Sequence, residues 1–394
     1  MVSGLRQHGR RRVRSRIPLV SLAVVAILVT ATVFAARGRN APPLLGERDS
    51  PILLAWTTGG LDPGFAASAA LLPGVDAVAE VRNGMGWLSS WAAEGAAPVG
   101  APAGFKVPIE VASVDPAQYS KFIPAGERST FEQLARGGAL LGRTGAELRG
   151  ITSTGTLQMG DITVPVIGVV DDELVASHEV IVSHQTAAAL GIDDPKYILI
   201  ALGPEASEEG VEEGLRRGLP AGKRLGTRTP DGKALIFRPG GTGLPQAEVK
   251  KVFGEFSARQ GRGAAIVIDP AWIEANTPNV TFPLLGETRC HKVLIPMVRG
   301  ALNEVVEKGL SSLVGRRDFG GCFAPRMLNS DPHSGISRHA WGAAIDFNVS
   351  GNGLGQKPTM DPRLTEIMER WGLTWGGRWM VPDGMHFEYL RDAK

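Results

Sequence analysis

An apolar run, IPLVSLAVVAILVTATVFAA (Ile17 to Ala36), stands directly behind Arg6, Arg10, Arg11, Arg12, Arg14 and Arg16. No other feature limits the possible folds as strongly. A bilayer crossing needs about 20 such residues, and the arginine excess keeps the leading end in the cytoplasm. The sequence therefore predicts a cytoplasmic basic segment over 1–16, a transmembrane anchor over 17–36 and an extracytoplasmic remainder. A cleaved signal peptide is the alternative, because Val33-Phe34-Ala35 has small-residue spacing. The run exceeds the usual apolar core of about 7–15 residues in such peptides, so an uncleaved single-pass anchor in the cell membrane is expected.

An outside location gives meaning to Cys290 and Cys322, the only two cysteines. Disulfides persist there, and these two are expected to bond. The 394 residues leave room for two or three domains, and 43% hydrophobic against 21% charged residues supports a sizeable core. A formal charge of +2 offers no basis for a nucleic-acid partner.

Residues 37–50, with Pro42 and Pro43, read as a linker, and 51–202 as a mixed α/β domain. Ile162 to Val170 and His178 to Ser183 are β-branched and strand-like. Residues 203–262 read as a connecting region, with a solvated stretch from Gly203 to Gly226 and a helix over Leu244 to Gln260. The last domain spans 263–394. It opens with a strand over Ala264 to Ile273 that stops at Pro270, followed by a helix from Leu294 to Gly309. The stripe of that helix is Leu294, Met297, Val298, Ala301, Leu302, Val305 and Val306. A final helix starts at Asp361-Pro362 and ends at Gly372.

Chemistry gathers at the end of the chain. In SRHAWGAAIDFN, Gly342, Ala344 and Asp346 alternate as on one face of a strand, and His339 precedes it. A buried, unpaired aspartate is costly, so Asp346 needs a partner, and a cation is one candidate. His386 follows in MHFEY, a predicted strand. Two histidines and one carboxylate match a catalytic zinc arrangement that leaves a fourth position for water. Imidazole favours zinc over magnesium or calcium, and other transition metals stay open. Asp383, three residues before His386, is placed to stand beside the metal as a general base. Ser337 and Glu388 are expected to orient the ligands. His291 reads as structural, His333 as a loop residue within possible reach of substrate, and Trp375 as a candidate substrate platform.

The set Ser337-x-His339-x-x-Gly342-x-Ala344-x-Asp346, then Trp375-Gly376-Gly377 and Asp383-x-x-His386-Phe387-Glu388, resembles the zinc D-alanyl-D-alanine carboxypeptidase family of the VanY type. That family includes L-alanyl-D-glutamate endopeptidases. The resemblance implies zinc on His339, Asp346 and His386, Asp383 as catalytic base, and Arg326 steadying the developing oxyanion. Arg378 departs from the acidic residue that many members carry after the glycines. Farther back, LLPGVDAVAEV (Leu71 to Val81), VASVDPAQY (Val111 to Tyr119) and Gly137 to Asp172 resemble the extracytoplasmic core domain of ABC-transporter permeases of the macrolide-export and lipoprotein-release kind. This second resemblance implies a spacer or a contact module for a membrane complex.

The expected fold class is α+β: an N-terminal transmembrane helix, a mixed α/β extracytoplasmic domain and a C-terminal α+β zinc peptidase domain with a small antiparallel sheet. The expected function is a membrane-anchored zinc peptidase acting on peptidoglycan stem peptides, with Zn2+ as cofactor; carboxypeptidase and endopeptidase action both stay open, and a non-catalytic wall-binding scaffold that keeps the zinc fold is the alternative.

Overall fold

The computed structural model describes residues 51–176, 178–229, 243–328 and 335–392. The described residues make one compact unit. Its larger part is a ten-stranded sheet built from β1 (Ile52–Thr57), β2 (Val75–Ala93), β3 (Val99–Gly100), β4 (Val107–Val114), β5 (Ala139–Gly142), β6 (Gly155–Met159), β7 (Ile162–Val170), β8 (Val180–Ser183), β9 (Pro195–Leu202) and β10 (Leu225–Arg228). The strand order is β10-β1-β9-β2-β4-β8-β5-β7-β6, with β3 paired to β2 off this path. The long β2 pairs with β9 and β4 along its first part and with β6 at its end, so the path from β2 through β4, β8, β5, β7 and β6 closes on itself. Leu88, Ile109, Val111, Leu141, Leu157 and Val182 fill one apolar cluster of this circuit. Closure removes the exposed edges that an open sheet would present.

The C-terminal part begins with the helix Gln246–Phe253 and the hairpin β11 (Ala258–Gln260) and β12 (Ile266–Ile268). A second hairpin, β13 (Asn279–Phe282) and β14 (Gly286–Arg289), leads into the helix Leu294–Glu307. A four-stranded antiparallel sheet follows: β15 (Phe319–Gly321), β16 (Ala344–Phe347), β17 (Leu373–Trp375) and β18 (His386–Tyr389), in the order β15-β16-β18-β17. The helix Leu294–Glu307 buries Leu294, Met297, Val298, Ala301, Leu302 and Val305; the leucines, valines and methionine each stabilise by about 1.5–3 kcal/mol. Val306, placed on the same stripe by sequence, is 46% exposed.

The two parts are joined through polar groups as well as apolar ones. Lys106 and Ala258 exchange backbone hydrogen bonds (2.9 and 2.8 Å), which ties the start of β4 to β11. Beside them lies a buried ionic cluster. Lys250 Nζ reaches both oxygens of Glu179 at 2.8 Å and Glu255 Oε1 at 2.9 Å. Arg149 Nη2 reaches Glu179 Oε2 at 3.0 Å and Glu255 Oε1 at 2.9 Å. Two cations and two anions cancel, which is the condition for keeping such charges out of water.

The expected fold class is corrected. No helix among the described residues is long and apolar enough to cross a membrane. The segment 17–36 lies outside the described residues. What is described is a mixed α/β structure dominated by the large sheet. Three local expectations change as well. The stretch Gly203 to Gly226, read as solvated, holds the helix Glu208–Arg217, which buries Val211 and Leu215, and it leads into β10 against β1. The helix expected over Leu244 to Gln260 stops at Phe253, because residues 258–260 pair with β12 instead. The strand expected over Ala264 to Ile273 is limited to Ile266–Ile268; Asp269 caps a helix from Pro270, accepting from the Ala271 N–H at 3.0 Å.

Candidate metal centre

Asp346 on β16 lies directly opposite His386 on β18, so the two side chains project from the same face of the sheet. Glu388, two residues farther along β18 and opposite Ala344, shares that face. The other face is apolar: Phe347 stacks on Phe387 with ring centroids 5.1 Å apart. His339 arrives from a short 3-10 turn, Arg338–Trp341, ahead of β16. Ser337 caps that turn by accepting from the His339 N–H at 3.3 Å. Gly342 closes the turn at φ 64°, where a Cβ would stand 2.7 Å from the His291 backbone nitrogen. Both the backbone conformation and the space there require glycine.

His339, Asp346 and His386 offer ligand atoms that all lie within 4.8 Å of one another. His339 Nε2 is 3.1 Å from Asp346 Oδ2, and His386 Nδ1 is 3.0 Å from Asp346 Oδ1. The two ring nitrogens are 3.2 Å apart. All three residues are buried. Their outer nitrogens are engaged. His339 Nδ1 lies 2.8 Å from the Cys322 carbonyl, which can only accept, so Nδ1 carries the proton. His386 Nε2 donates to Glu388 Oε2 at 3.2 Å. The inner atoms, His339 Nε2 and His386 Nδ1, then face a carboxylate across a buried gap. Three acceptors so placed need a cation between them, and two imidazoles with one carboxylate are a donor set that suits zinc. The residues fit a divalent ion.

With no metal bound, protons take its place. Burial disfavours charge on His386, but Asp346 and Glu388 override it and raise the pKa to about 10. Asp346 is held well below the ordinary carboxylate range, despite burial, by its bonds to the two histidines. A metal must therefore displace a proton from His386 at neutral pH. We expect binding at pH 7.5 to release about one proton, with affinity rising about tenfold per pH unit. Calorimetric titration in buffers of different ionisation enthalpy measures this; heats independent of buffer would contradict it.

Asp383 sits in the turn before β18, with its N–H donating to Gly376 O (2.9 Å) and its carbonyl accepting from His386 N–H (3.2 Å). Its Oδ1 is buried and has no hydrogen-bond partner among the described residues. Burial raises its pKa, Asp346 adds to the shift, and His386, His339 and Arg326 oppose it. Gly376 makes the approach possible: a Cβ there would stand 2.8 Å from Asp383 O and 3.3 Å from His386 Cβ. Arg326 is half-buried, and its carbonyl accepts from the Ser337 N–H at 3.1 Å.

Cys290 and Cys322 are joined by a disulfide. His291 donates from Nε2 to Phe253 O (2.9 Å) and accepts at Nδ1 from Val293 N–H (3.1 Å), and burial lowers its pKa to about 4. It is a neutral structural residue. His333 lies outside the described residues. Trp375 donates its indole N–H to Gly384 O at 2.8 Å, with the Arg378 guanidinium 5.4 Å from its ring centre, and Arg378 also pairs with Glu369. It is Trp379 whose ring stands against His386, at 5.3 Å. Sequence reasoning missed Trp379 and the Cys322 carbonyl. The WGGRW spacing offered a signal for the first, and a backbone carbonyl leaves none.

Residues 330–389 match the family model described as D-alanyl-D-alanine carboxypeptidase. That segment holds Ser337, His339, Asp346, Asp383, His386 and Glu388, while Arg326 and both cysteines precede it. Among solved structures, the chain is similar to the periplasmic region of MacB from Actinobacillus actinomycetemcomitans, at 10% identity over 45% of this chain and 88% of that one, with a TM-score of 0.33. It is also similar to the extracellular domain of the noncanonic ABC-type transporter YknZ from Gram-positive bacteria, at 12% identity over 45% of this chain and 99% of that one, with a TM-score of 0.30. No curated protein matches the sequence.

Proposed function

We propose that this protein is a zinc-dependent peptidase that hydrolyses peptidoglycan stem peptides in the manner of a D-alanyl-D-alanine carboxypeptidase. One observation carries the reading. Two imidazole nitrogens and a carboxylate converge in a buried cluster, in the segment that the family model matches, with the orphaned oxygen of Asp383 beside them. His339 Nε2, Asp346 and His386 Nδ1 would hold the ion. Zinc bound there polarises a carbonyl and lowers the pKa of water from about 15.7 to about 7. Asp383 takes the proton of the attacking water and delivers it to the leaving amine. Its buried Oδ1 has no hydrogen-bond partner among the described residues and is available for that proton. Arg326, whose charge bears on Asp383, would steady the negative charge that develops on the carbonyl oxygen. Glu388 and the Cys322 carbonyl keep the two rings from turning. A place outside the cytoplasm agrees with this substrate and with the disulfide.

The test is a defined stem pentapeptide ending in D-alanyl-D-alanine, followed by mass spectrometry. Loss of one alanine with free D-alanine as product is expected, abolished by a chelator and restored by Zn2+. Cleavage at an internal L-alanyl-D-glutamate bond would assign an endopeptidase instead. Hydrolysis undiminished after removal of metal would overturn the reading.

A further inference from the structure

The Cys290–Cys322 disulfide lies against the metal-ligand turn rather than at a distant staple point. The Cys322 carbonyl accepts from His339 Nδ1–H at 2.8 Å. Both sulfurs touch the carbonyl of Gly342, the residue that closes the turn, at 3.8 Å for Cys290 and 3.4 Å for Cys322. That same carbonyl accepts from the His291 N–H at 3.2 Å, next to Cys290. On the Cys322 side, the Ala324 N–H donates to His339 O at 2.9 Å and the Phe323 N–H to Arg289 O at 3.1 Å. The bridge thus joins the chain around 290 to the chain around 322, and the His339 turn is hydrogen-bonded to both. Both cysteines are buried, at 0% and 1% exposure. Gly321, one residue before Cys322, pairs with Asp346 across β15 and β16. A shift of the 321–324 segment would therefore disturb two of the three metal-binding side chains together.

We propose that the disulfide is a positioning element for the metal site: through the Cys322 carbonyl it sets the tautomer and orientation of His339, and so determines the affinity for the ion. Outer partners of histidine ligands act in this way, and their loss weakens metal binding by about 10–100-fold. The entropic benefit of closing a loop falls mainly on global stability, and a bridge doing only that would leave the affinity of the folded protein unchanged. The inference rests on the three-residue cluster being a metal site.

The experiment uses the full chain in oxidised form, in a form reduced under native conditions with a phosphine that is then removed anaerobically, and as the Cys290→Ala/Cys322→Ala variant. Each is titrated with Zn2+ against a chromophoric chelator, and near-UV circular dichroism monitors the fold. The expected result is folded protein with zinc affinity lowered at least about tenfold in the reduced and double-variant forms, recovering when the reduced form is reoxidised. Equal affinity in folded oxidised and reduced protein would overturn the proposal. So would loss of the fold on opening the bridge, since the disulfide would then hold the domain and not the ligand. Absence of zinc binding in the oxidised protein would remove the metal-site reading itself, and this proposal with it.

Discussion

Replacing Asp383 with asparagine is expected to lower turnover of a stem pentapeptide by about 10²- to 10⁴-fold while one zinc ion per chain stays bound. The expectation follows from the separation of roles in the site. His339, Asp346 and His386 supply the converging ligand atoms, whereas Asp383 approaches from the turn before β18 with an oxygen that no described group partners. Asparagine keeps the shape and the backbone contacts to Gly376 and His386, so packing is preserved. It cannot take a proton from water or return one to the leaving amine. Stopped assays with zinc content measured on the same samples separate the two effects. Undiminished hydrolysis with zinc retained would remove Asp383 from the mechanism.

The second large effect concerns stability. Glu179→Gln should destabilise the protein by about 3–5 kcal/mol. Glu179 is 1% exposed and accepts from Lys250, Arg149, Gln246 and the Glu110 backbone. The neutral side chain would leave Lys250 and Arg149 sharing Glu255 as their one remaining carboxylate among the described residues, an uncompensated charge in a buried space. A surface pair serves as control: Arg143 and Asp171, at 62% and 53% side-chain exposure, should cost at most about 1 kcal/mol when broken. The double change Glu179→Gln/Lys250→Met should recover part of the loss, because the unpaired cation is removed with the anion. Urea unfolding followed by circular dichroism measures all three variants, and a Glu179→Gln protein as stable as the parent would refute the role given to the cluster. The pH dependence has a definite sign. Burial works to raise the Glu179 pKa, but Lys250 and Arg149 bring it below 4.5. The stability it contributes is therefore present above about pH 4.5 and is lost as the pH falls through the folded-state value.

Much of this protein was legible in the residues because the signals are local. The helix Leu294–Glu307 follows from apolar spacing over a few turns. The helix at Pro362 follows from a capping aspartate and a proline at its first position. The residues His339, Asp346, Asp383 and His386 were named from type and spacing, and the structure brings the two histidines and Asp346 within 4.8 Å. Other features were not legible. β10 joins the large sheet because Leu225 to Arg228 pairs with β1, more than 160 residues earlier. The Arg149, Glu179, Lys250 and Glu255 cluster draws on charges that look like ordinary surface groups in the sequence. Trp379 rather than Trp375 stands against His386, and the turn between them decides which ring does.

The sequence by itself determined which chemical groups are available and where the chain turns, since helix caps, apolar periods and glycine positions act over neighbouring residues. Only the tertiary structure decided which atom of each histidine faces the ion. That choice belongs to a carbonyl 17 residues before His339 and to a carboxylate across the ring of His386. A hydrogen bond between groups far apart in the chain exists only once the core has brought them together.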